Sequence, residues 1–198
     1  MSTRAGVSSL QHHAVVRRSV RWVPDGLCEK TLIIRSINGQ NKREPQGAPS
    51  RPRLLAIASG GGHWVQLLRL RPAFEGCDVT FVTVSRAYQQ DIGTEAFQIV
   101  NDATRWDKVG LIKMGLKLAW IVLTVRPHVV VSTGAAPGYF AIRLARLLGA
   151  RALWLDSIAN VEHVSMTCEL VAKHADLRLT QWEHLARPDG PKFEGAVL

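Results

Sequence analysis

One histidine stands directly after three glycines at the end of an apolar segment. The segment RLLAIAS (53–59) ends in Ser59, and the residues that follow are Gly60, Gly61, Gly62 and His63. Glycine permits a sharp turn and a close approach of the backbone to a ligand. A neutral imidazole at such a turn can take a proton from a hydroxyl group. The alternative is a structural histidine that only hydrogen-bonds the backbone at a helix start.

Two further segments have the same layout of a strand-like run followed by unusual residues. STGAAPG (132–138) contains three residues that suit a turn close to a phosphate: Gly134, Pro137 and Gly138. The alternative is an ordinary turn from a strand to a helix. DSIANVEH (156–163) begins at Asp156, and Glu162 stands near the start of the next predicted helix. Glu162 is interpreted either as a ligand contact or as a residue that caps that helix.

Strand-like and helix-like segments alternate from residue 53 to the end. The predicted strands are 53–59, 77–85, 95–100, 128–134, 150–156 and 176–182. The predicted helices are 63–74, 109–126, 135–149 and 161–175, and the first is expected to bury Val65 and Leu68. This alternation predicts one Rossmann-like α/β domain over 53–198, with a parallel sheet between helices. The three segments would then meet at the carboxyl edge of the sheet, where such folds bind ligands.

The glycine turn does not fit the common nucleotide-cofactor motifs. A dinucleotide fold requires a third glycine where this chain has Val65, and Arg86 rather than an acidic residue follows the second strand. A Walker lysine is absent as well, so no cofactor is predicted. A metal site of His63, Glu162 and His163 has no recognised ligand spacing, and no metal is predicted.

The positive charge of the chain is concentrated near its N-terminus. The net charge is +9, but residues 1–53 hold ten Lys and Arg against three acidic residues. The remainder is nearly neutral, which argues against nucleic-acid binding by the folded domain. Residues 1–52 are predicted to form a basic, mostly disordered leader, or alternatively an arm that rests on an anionic surface. Three widely spaced cysteines indicate no disulfide framework and favour the cytosol.

The segment 109–126 is too apolar for a helix that buries a single face. Lys113 and Lys117 lie four residues apart, and Trp120 follows among many aliphatic residues. A basic, tryptophan-containing amphipathic helix can lie in a membrane interface, so these three residues are predicted to contact the membrane. The alternative is a helix that packs on the sheet and leaves its basic edge in water.

The combined motifs resemble a family. The Ser-Gly-Gly-Gly-His turn, the Gly-x-x-Pro-Gly turn, and LDSIANVEHVSMT (155–167) with the closing FEGAVL (193–198) resemble the Alg-type and PssD-like acceptor subunits of split UDP-sugar transferases. More distantly, the chain is similar to the N-terminal half of MurG. The resemblance implies the acceptor half of a GT-B glycosyltransferase that acts in exopolysaccharide or lipid-linked oligosaccharide biosynthesis.

This resemblance also implies partners and a location. A separate nucleotide-sugar-binding subunit would supply the second half of the enzyme, and this chain alone would be inactive. The acceptor would be a polyprenyl-pyrophosphate-linked sugar, and the protein would lie on the cytoplasmic face of the membrane. His63 would be the catalytic base, while Ser59, the glycines of both turns, Pro137, Asp156 and Glu162 would line the substrate site.

Two other functions fit the same residues. A stand-alone hydrolase of nucleotide sugars or phosphate esters could use His63 and Asp156, and it would turn over substrate without a partner. A non-catalytic membrane scaffold would use His63 only to hold its fold, and replacement of His63 would leave the assembled enzyme active.

Overall fold

The computed structural model describes residues 51–104 and 106–197. The predicted leader at 1–52 therefore lies almost entirely outside the described residues, and its basic, disordered character stays a prediction.

Seven parallel strands form a single sheet in the described part of the chain. The strands are β1 Arg53–Ile57, β2 Asp78–Thr83, β3 Ala96–Ile99, β4 Val129–Ser132, β5 Arg151–Leu155, β6 Leu177–Thr180 and β7 Lys192–Phe193. Their order across the sheet is β3-β2-β1-β4-β5-β6-β7. The order reverses between β1 and β4, which pair directly through Leu54–Ile57 and Val129–Ser132. The predicted Rossmann-like sheet is confirmed, and the short β7 was not predicted.

Helices cover both faces of this sheet. The α-helices are α1 Gly62–Arg69, α2 Lys108–Val125, α3 Ala135–Leu147 and α4 Met166–Leu170. Short 3₁₀ segments lie at Arg71–Phe74, Arg86–Asp91, Val171–Lys173 and Glu183–Leu185. One apolar core joins α2, α3 and α4 to one face of the sheet, and a second core joins α1 to the other face. The central strands are buried on both faces, which explains their continuous apolar sequence.

The buried side of α1 differs from the predicted one. Val65 is 48% exposed, whereas Trp64 and Leu67 are buried against the sheet and Leu68 is partly buried. The helix begins at Gly62, within the glycine turn, and the side chains that face the sheet lie one position earlier in the sequence than predicted. The prediction that Val65 belongs to the core is therefore wrong.

The predicted helix over 161–175 is also wrong in extent. Only Met166–Leu170 is α-helical, followed by the 3₁₀ turn Val171–Lys173. Ser165 caps α4 because its hydroxyl accepts a hydrogen bond from the Cys168 amide at 3.0 Å. The residues before Ser165 form an irregular loop that is bonded to Asp156.

The helix α2 has apolar residues on opposite sides. Its start is set by Asp107, whose carboxylate accepts from the Gly110 amide at 2.8 Å, and it ends at Arg126 in the left-handed region before Pro127. The side that packs on the sheet contains Met114, Leu118, Ile121 and Val122. The opposite side leaves Val109, Ile112, Leu116, Trp120 and Leu123 more than half exposed. We call these five residues the apolar strip of α2.

Candidate active site

The candidate site lies where the strand order of the sheet reverses. The glycine turn joins β1 to α1, and residues 133–134 join the neighbouring β4 to α3. Ligands of open α/β sheets bind in the crevice beyond the strands at this point. The structure thus brings together the first two predicted loops, and the loop after β5 lies beside them.

His63 is held at this crevice by contacts on several sides. Its Nδ1 lies 3.0 Å from the Ser59 hydroxyl oxygen. The Thr133 hydroxyl donates to the His63 carbonyl oxygen at 2.7 Å, which ties the second loop to the first. The imidazole packs against Gly134, where an added Cβ would lie 2.5 Å from the ring Cδ2 and 2.6 Å from Nε2. His63 and Gly134 are therefore direct neighbours, so the first two of the three predicted segments meet at this edge of the sheet.

Burial favours the neutral form of the His63 imidazole. Loss of water around the ring lowers the pKa of His63, and the negative charge of Asp156 opposes that shift with a smaller effect. A neutral imidazole can accept a proton near pH 7. A base at Nε2 requires the tautomer in which Nδ1 carries the proton and donates to the Ser59 hydroxyl oxygen.

The glycine turn is fixed by an aromatic residue that the sequence reading missed. The Gly61 amide donates to the Tyr88 hydroxyl oxygen at 2.8 Å, and Gly61 has φ +61°, where an L-residue is strained. The Tyr88 ring lies 5.2 Å from that of Trp64, whose indole N–H donates to Asp91 at 2.9 Å. Tyr88 lies in a 3₁₀ segment without apolar periodicity, so no sequence pattern identified it.

The N-terminal ends of both helices at the crevice lack side-chain caps. Gly61 and Gly134 occupy the N-cap positions of α1 and α3 and have no side chain that could cap the first turn. Their own amides donate to the Tyr88 hydroxyl at 2.8 Å and to the Ser132 hydroxyl at 3.2 Å. The first turn of a helix carries amide groups without an intrahelical acceptor and a positive dipole end. Two such ends beside one crevice favour an anionic ligand.

Backbone strain marks the second loop. Ala135 has φ 65°, in the left-handed region, at the first residue of α3. An L-residue in that region costs roughly 1–2 kcal/mol, and such residues occur mainly where the surrounding structure enforces them. The strain lies one residue from the contact between Gly134 and His63.

Pro137 and Gly138 lie behind the crevice. Both are buried in the first turns of α3. An added Cβ at Gly138 would lie 1.9 Å from the Ser132 hydroxyl oxygen and 3.3 Å from the Trp154 ring, so glycine lets the helix approach the sheet. Gly138 thus serves close packing, and the predicted ligand contacts of Pro137 and Gly138 stay predictions.

Asp156 holds the loop that follows β5. The residue is only 2% exposed. One carboxylate oxygen accepts from the Trp154 indole at 3.2 Å and the Ser165 hydroxyl at 2.6 Å. The other accepts from the Asn160 amide group at 3.1 Å and the Ser165 backbone amide at 2.8 Å. These four bonds hold the loop after β5 in place, and the predicted ligand contact of Asp156 stays a prediction.

Glu162 is predicted either to contact a ligand or to cap a helix, and it is also part of the metal site that was considered. Glu162 is exposed on the loop after β5, four residues before α4, so it does not cap that helix. Its predicted ligand contact stays a prediction. Within residues 51–104 and 106–197, no cluster of three His, Cys, Asp or Glu side chains could hold a metal ion.

The three predicted membrane-contact residues lie on the outer side of α2. Lys113 and Lys117 are exposed, and the Lys117 ammonium lies 4.6 Å above the Trp120 ring centroid. Trp120 belongs to the apolar strip of α2. Among the described residues, no helix is long and apolar enough to cross a membrane.

Comparison with solved structures identifies the fold. MurG from Acinetobacter baumannii superimposes with a TM-score of 0.58 at 13% identity, over 72% of this chain and 45% of that chain. The fold is that of a GT-B half. UDP-N-acetylglucosamine 2-epimerase from Rickettsia bellii gives a TM-score of 0.58 at 11% identity, over 75% of this chain and 46% of that one. S. aureus MnaA, in a co-structure with UDP, superimposes with a TM-score of 0.53 at 12% identity, over 66% of this chain and 39% of that chain.

These similarities concern architecture. At 11–13% identity they show a shared fold, and this chain spans less than half the length of each of these proteins. No protein-family model matches the sequence, and no curated protein matches it. The predicted resemblance to MurG is thus supported at the level of the GT-B fold.

Proposed function

We propose that this chain is the acceptor-binding subunit of a two-component UDP-sugar-dependent glycosyltransferase. The observation that carries the proposal is the placement of the His63 imidazole between Ser59 and Gly134, at the point where the strand order of a GT-B half reverses. A separate nucleotide-sugar-binding subunit would complete the enzyme. The acceptor would be a polyprenyl-pyrophosphate-linked sugar, as in exopolysaccharide or lipid-linked oligosaccharide synthesis.

In this proposal His63 acts as the general base. Its Nε2 takes the proton of the acceptor hydroxyl while the oxygen bonds to C1 of the donor sugar, and the bond from C1 to the UDP oxygen breaks. The proton in the hydrogen bond to Ser59 stays on Nδ1 and orients the ring. The uncapped starts of α1 and α3 would stabilise the negative charge of the acceptor pyrophosphate.

The apolar strip of α2 is the proposed membrane contact. A row of exposed apolar residues along one helix, with lysines beside it, is the surface that an interfacial helix presents. Lys113 and Lys117 would contact anionic headgroups, each contributing on the order of 1 kcal/mol. Such contact would place the subunit on the cytoplasmic face, where the lipid-linked acceptor and UDP-sugars meet.

The hydrolase alternative finds no support in the geometry. A hydrolase of this kind requires the Asp156 carboxylate to take part with His63. Each of its two oxygens already accepts two hydrogen bonds from neighbouring groups. Asp156 acts on His63 only through its charge.

Ligand binding tests the proposal directly. The purified chain would be titrated with nanodiscs that contain a polyprenyl-pyrophosphate-linked sugar, with empty nanodiscs of the same lipids, and with free UDP. We expect the lipid-linked sugar to add affinity over empty nanodiscs and UDP to bind weakly. Tight binding of UDP without any effect of the lipid-linked sugar would identify the chain as a donor half and contradict the proposal.

A further inference from the structure

Two buried glutamines connect the site to distant parts of the chain. Gln66 lies on α1, three residues after His63, and is 5% exposed. Gln181 directly follows β6 and is 3% exposed. Neither has a part in the proton transfer proposed above, and buried carboxamides of this kind are stable only when they are hydrogen-bonded.

The hydrogen-bonding capacity of Gln66 is fully used. Its Nε2 donates to the Gly62 carbonyl oxygen at 3.1 Å and to the Ser157 hydroxyl oxygen at 3.3 Å. Its Oε1 accepts from the Ile158 amide at 3.1 Å and from the Gln181 Nε2 at 2.5 Å. A carboxamide has two N–H donors and two lone pairs, so each is occupied. Gln66 thereby joins the glycine turn to the loop after β5.

Gln181 extends the connection in two directions. Its Nε2 also donates to the Asp156 carbonyl oxygen at 2.9 Å, and its Oε1 accepts from the Val197 amide at 2.9 Å. The Val197 carbonyl oxygen in turn accepts from the Arg69 guanidinium at 3.2 Å. The segment that follows β7 is therefore bound to α1 at two points, once through the glutamine pair and once at the helix end.

A fully satisfied buried network favours one arrangement of the segments that it joins. A shift of the loop after β5, or of the segment at Val197, breaks hydrogen bonds to two buried carboxamides, and a buried carboxamide that is left unpaired is costly. The shortest connection from this network to the glycine turn is the bond between Gln66 and the Gly62 carbonyl, one residue before His63.

We propose that Gln66 and Gln181 are positioning residues that couple the loop after β5 and the segment at Val197 to the orientation of the His63 imidazole. The inference rests on the proposed function in so far as His63 is the base. The pair would keep the ring in a single orientation against Ser59 and Gly134, so that one tautomer predominates.

NMR of the full chain tests this coupling without an activity measurement. The ring-nitrogen ¹⁵N resonances of His63 report its tautomer and its bond to Ser59. In Gln181→Met, we expect the difference between the two ring-nitrogen shifts to narrow because the tautomers interchange. We also expect hydrogen exchange at the Ile158 amide to become about tenfold faster, because the Gln66 Oε1 that accepts from this amide loses its bond to Gln181 and is held less firmly.

Two further variants complete the test. Gln90→Met makes the same chemical change on an exposed side chain and should leave His63 as in the wild type. Gln181→Asn keeps the carboxamide on a side chain that is too short to reach both Gln66 and Val197. It replaces Gln181→Met in the NMR experiment if that variant fails to fold. Its effect on His63 should be intermediate.

The outcomes separate the coupling from a merely stabilising role. If the melting temperature falls in the Gln181 variants while the His63 resonances stay at their wild-type positions, the inference is overturned. Loss of the single tautomer in both variants supports it. An assembled enzyme that stays active after His63→Ala would contradict the proposed base, and the NMR result would still decide whether the coupling exists.

Discussion

The imidazole of His63 occupies the space that a side chain at position 134 would need. A Cβ built on Gly134 lies 2.5 Å from the ring Cδ2, and Gly134 has φ +140°, where L-residues are rarely found. The two residues are 71 positions apart and follow β1 and β4, which are adjacent strands. Close packing of a glycine-bearing loop against this histidine thus fixes the geometry of the crevice.

Replacement of Gly134 by Ala should displace His63. We expect Gly134→Ala to lower the free energy of unfolding by about 1–3 kcal/mol, from backbone strain together with the clash. We also expect the His63 ring resonances to move. Urea denaturation and NMR measure the two effects.

Gly149→Ala is the matched control for this variant. Gly149 has φ +80°, but an added Cβ there would meet no atom within 4 Å. This variant should show strain alone and leave the His63 resonances in place. Equal effects of the two substitutions on His63 would mean that the packing of Gly134 does not position the ring.

Replacement of Ala135 by Gly should stabilise the protein. The left-handed conformation of Ala135 is strained for alanine and accessible to glycine. We expect Ala135→Gly to raise the free energy of unfolding by about 0.5–1 kcal/mol, and urea denaturation measures it. Ala136→Gly, in the helical residue that follows, should lower it by a similar amount. A loss of stability in Ala135→Gly would show that the strain is not a property of residue 135.

The stability of the fold should decrease in mild acid. Burial lowers the pKa of both His63 and His128, and Arg53 adds to the effect at His128. Below about pH 6.5 the unfolded chain then binds more protons than the folded chain. The free energy of unfolding therefore decreases as the pH is lowered, until the pH is below the pKa values of the folded state. His63 contributes a slope of at most about 1.4 kcal/mol per pH unit, and the exposed His128 contributes less because water screens its charge.

Urea denaturation between pH 8 and pH 5 measures this slope. His63→Gln and His128→Gln should each make it shallower. The exposed His163→Gln serves as a control for the removal of an imidazole. An unchanged slope in His63→Gln would show that the ring is not kept neutral by its burial.

Charge substitutions in the apolar strip of α2 should weaken membrane binding. Burial of one leucine contributes roughly 1.5–3 kcal/mol, so Leu116→Glu should reduce partitioning onto anionic vesicles about tenfold or more. Cosedimentation measures it. Leu147→Glu, at an even more exposed leucine on α3, should have little effect. Similar losses in both variants would contradict a membrane contact at α2.

The sequence predicted the elements with the strongest patterns. The apolar runs at β1 and β4 are local signals, and the sheet and its carboxyl edge follow from the alternation of strands and helices. The contact between His63 and Gly134 follows from that topology, because adjacent parallel strands bring their following loops together.

The residues that the sequence did not reveal depend on tertiary contacts. Tyr88 reaches Gly61 from a segment without periodicity, and Gln66 is a polar residue that the structure buries. The four hydrogen bonds of Asp156 to its own loop could not be read from the sequence, because their partners are brought together only by the fold. The same bonds account for the short α4, since they keep the residues before Ser165 out of a helix.

The most direct test of the account is a paired activity assay. Membranes that contain this chain, a candidate nucleotide-sugar-binding subunit, or both would be incubated with labelled UDP-sugars, and polyprenyl-linked product would be extracted. We predict product only when both proteins are present, and a loss of at least about a hundredfold in His63→Ala, the low end of the effect of a general base. Product from this chain alone, or full activity of the pair with His63→Ala, would contradict the account.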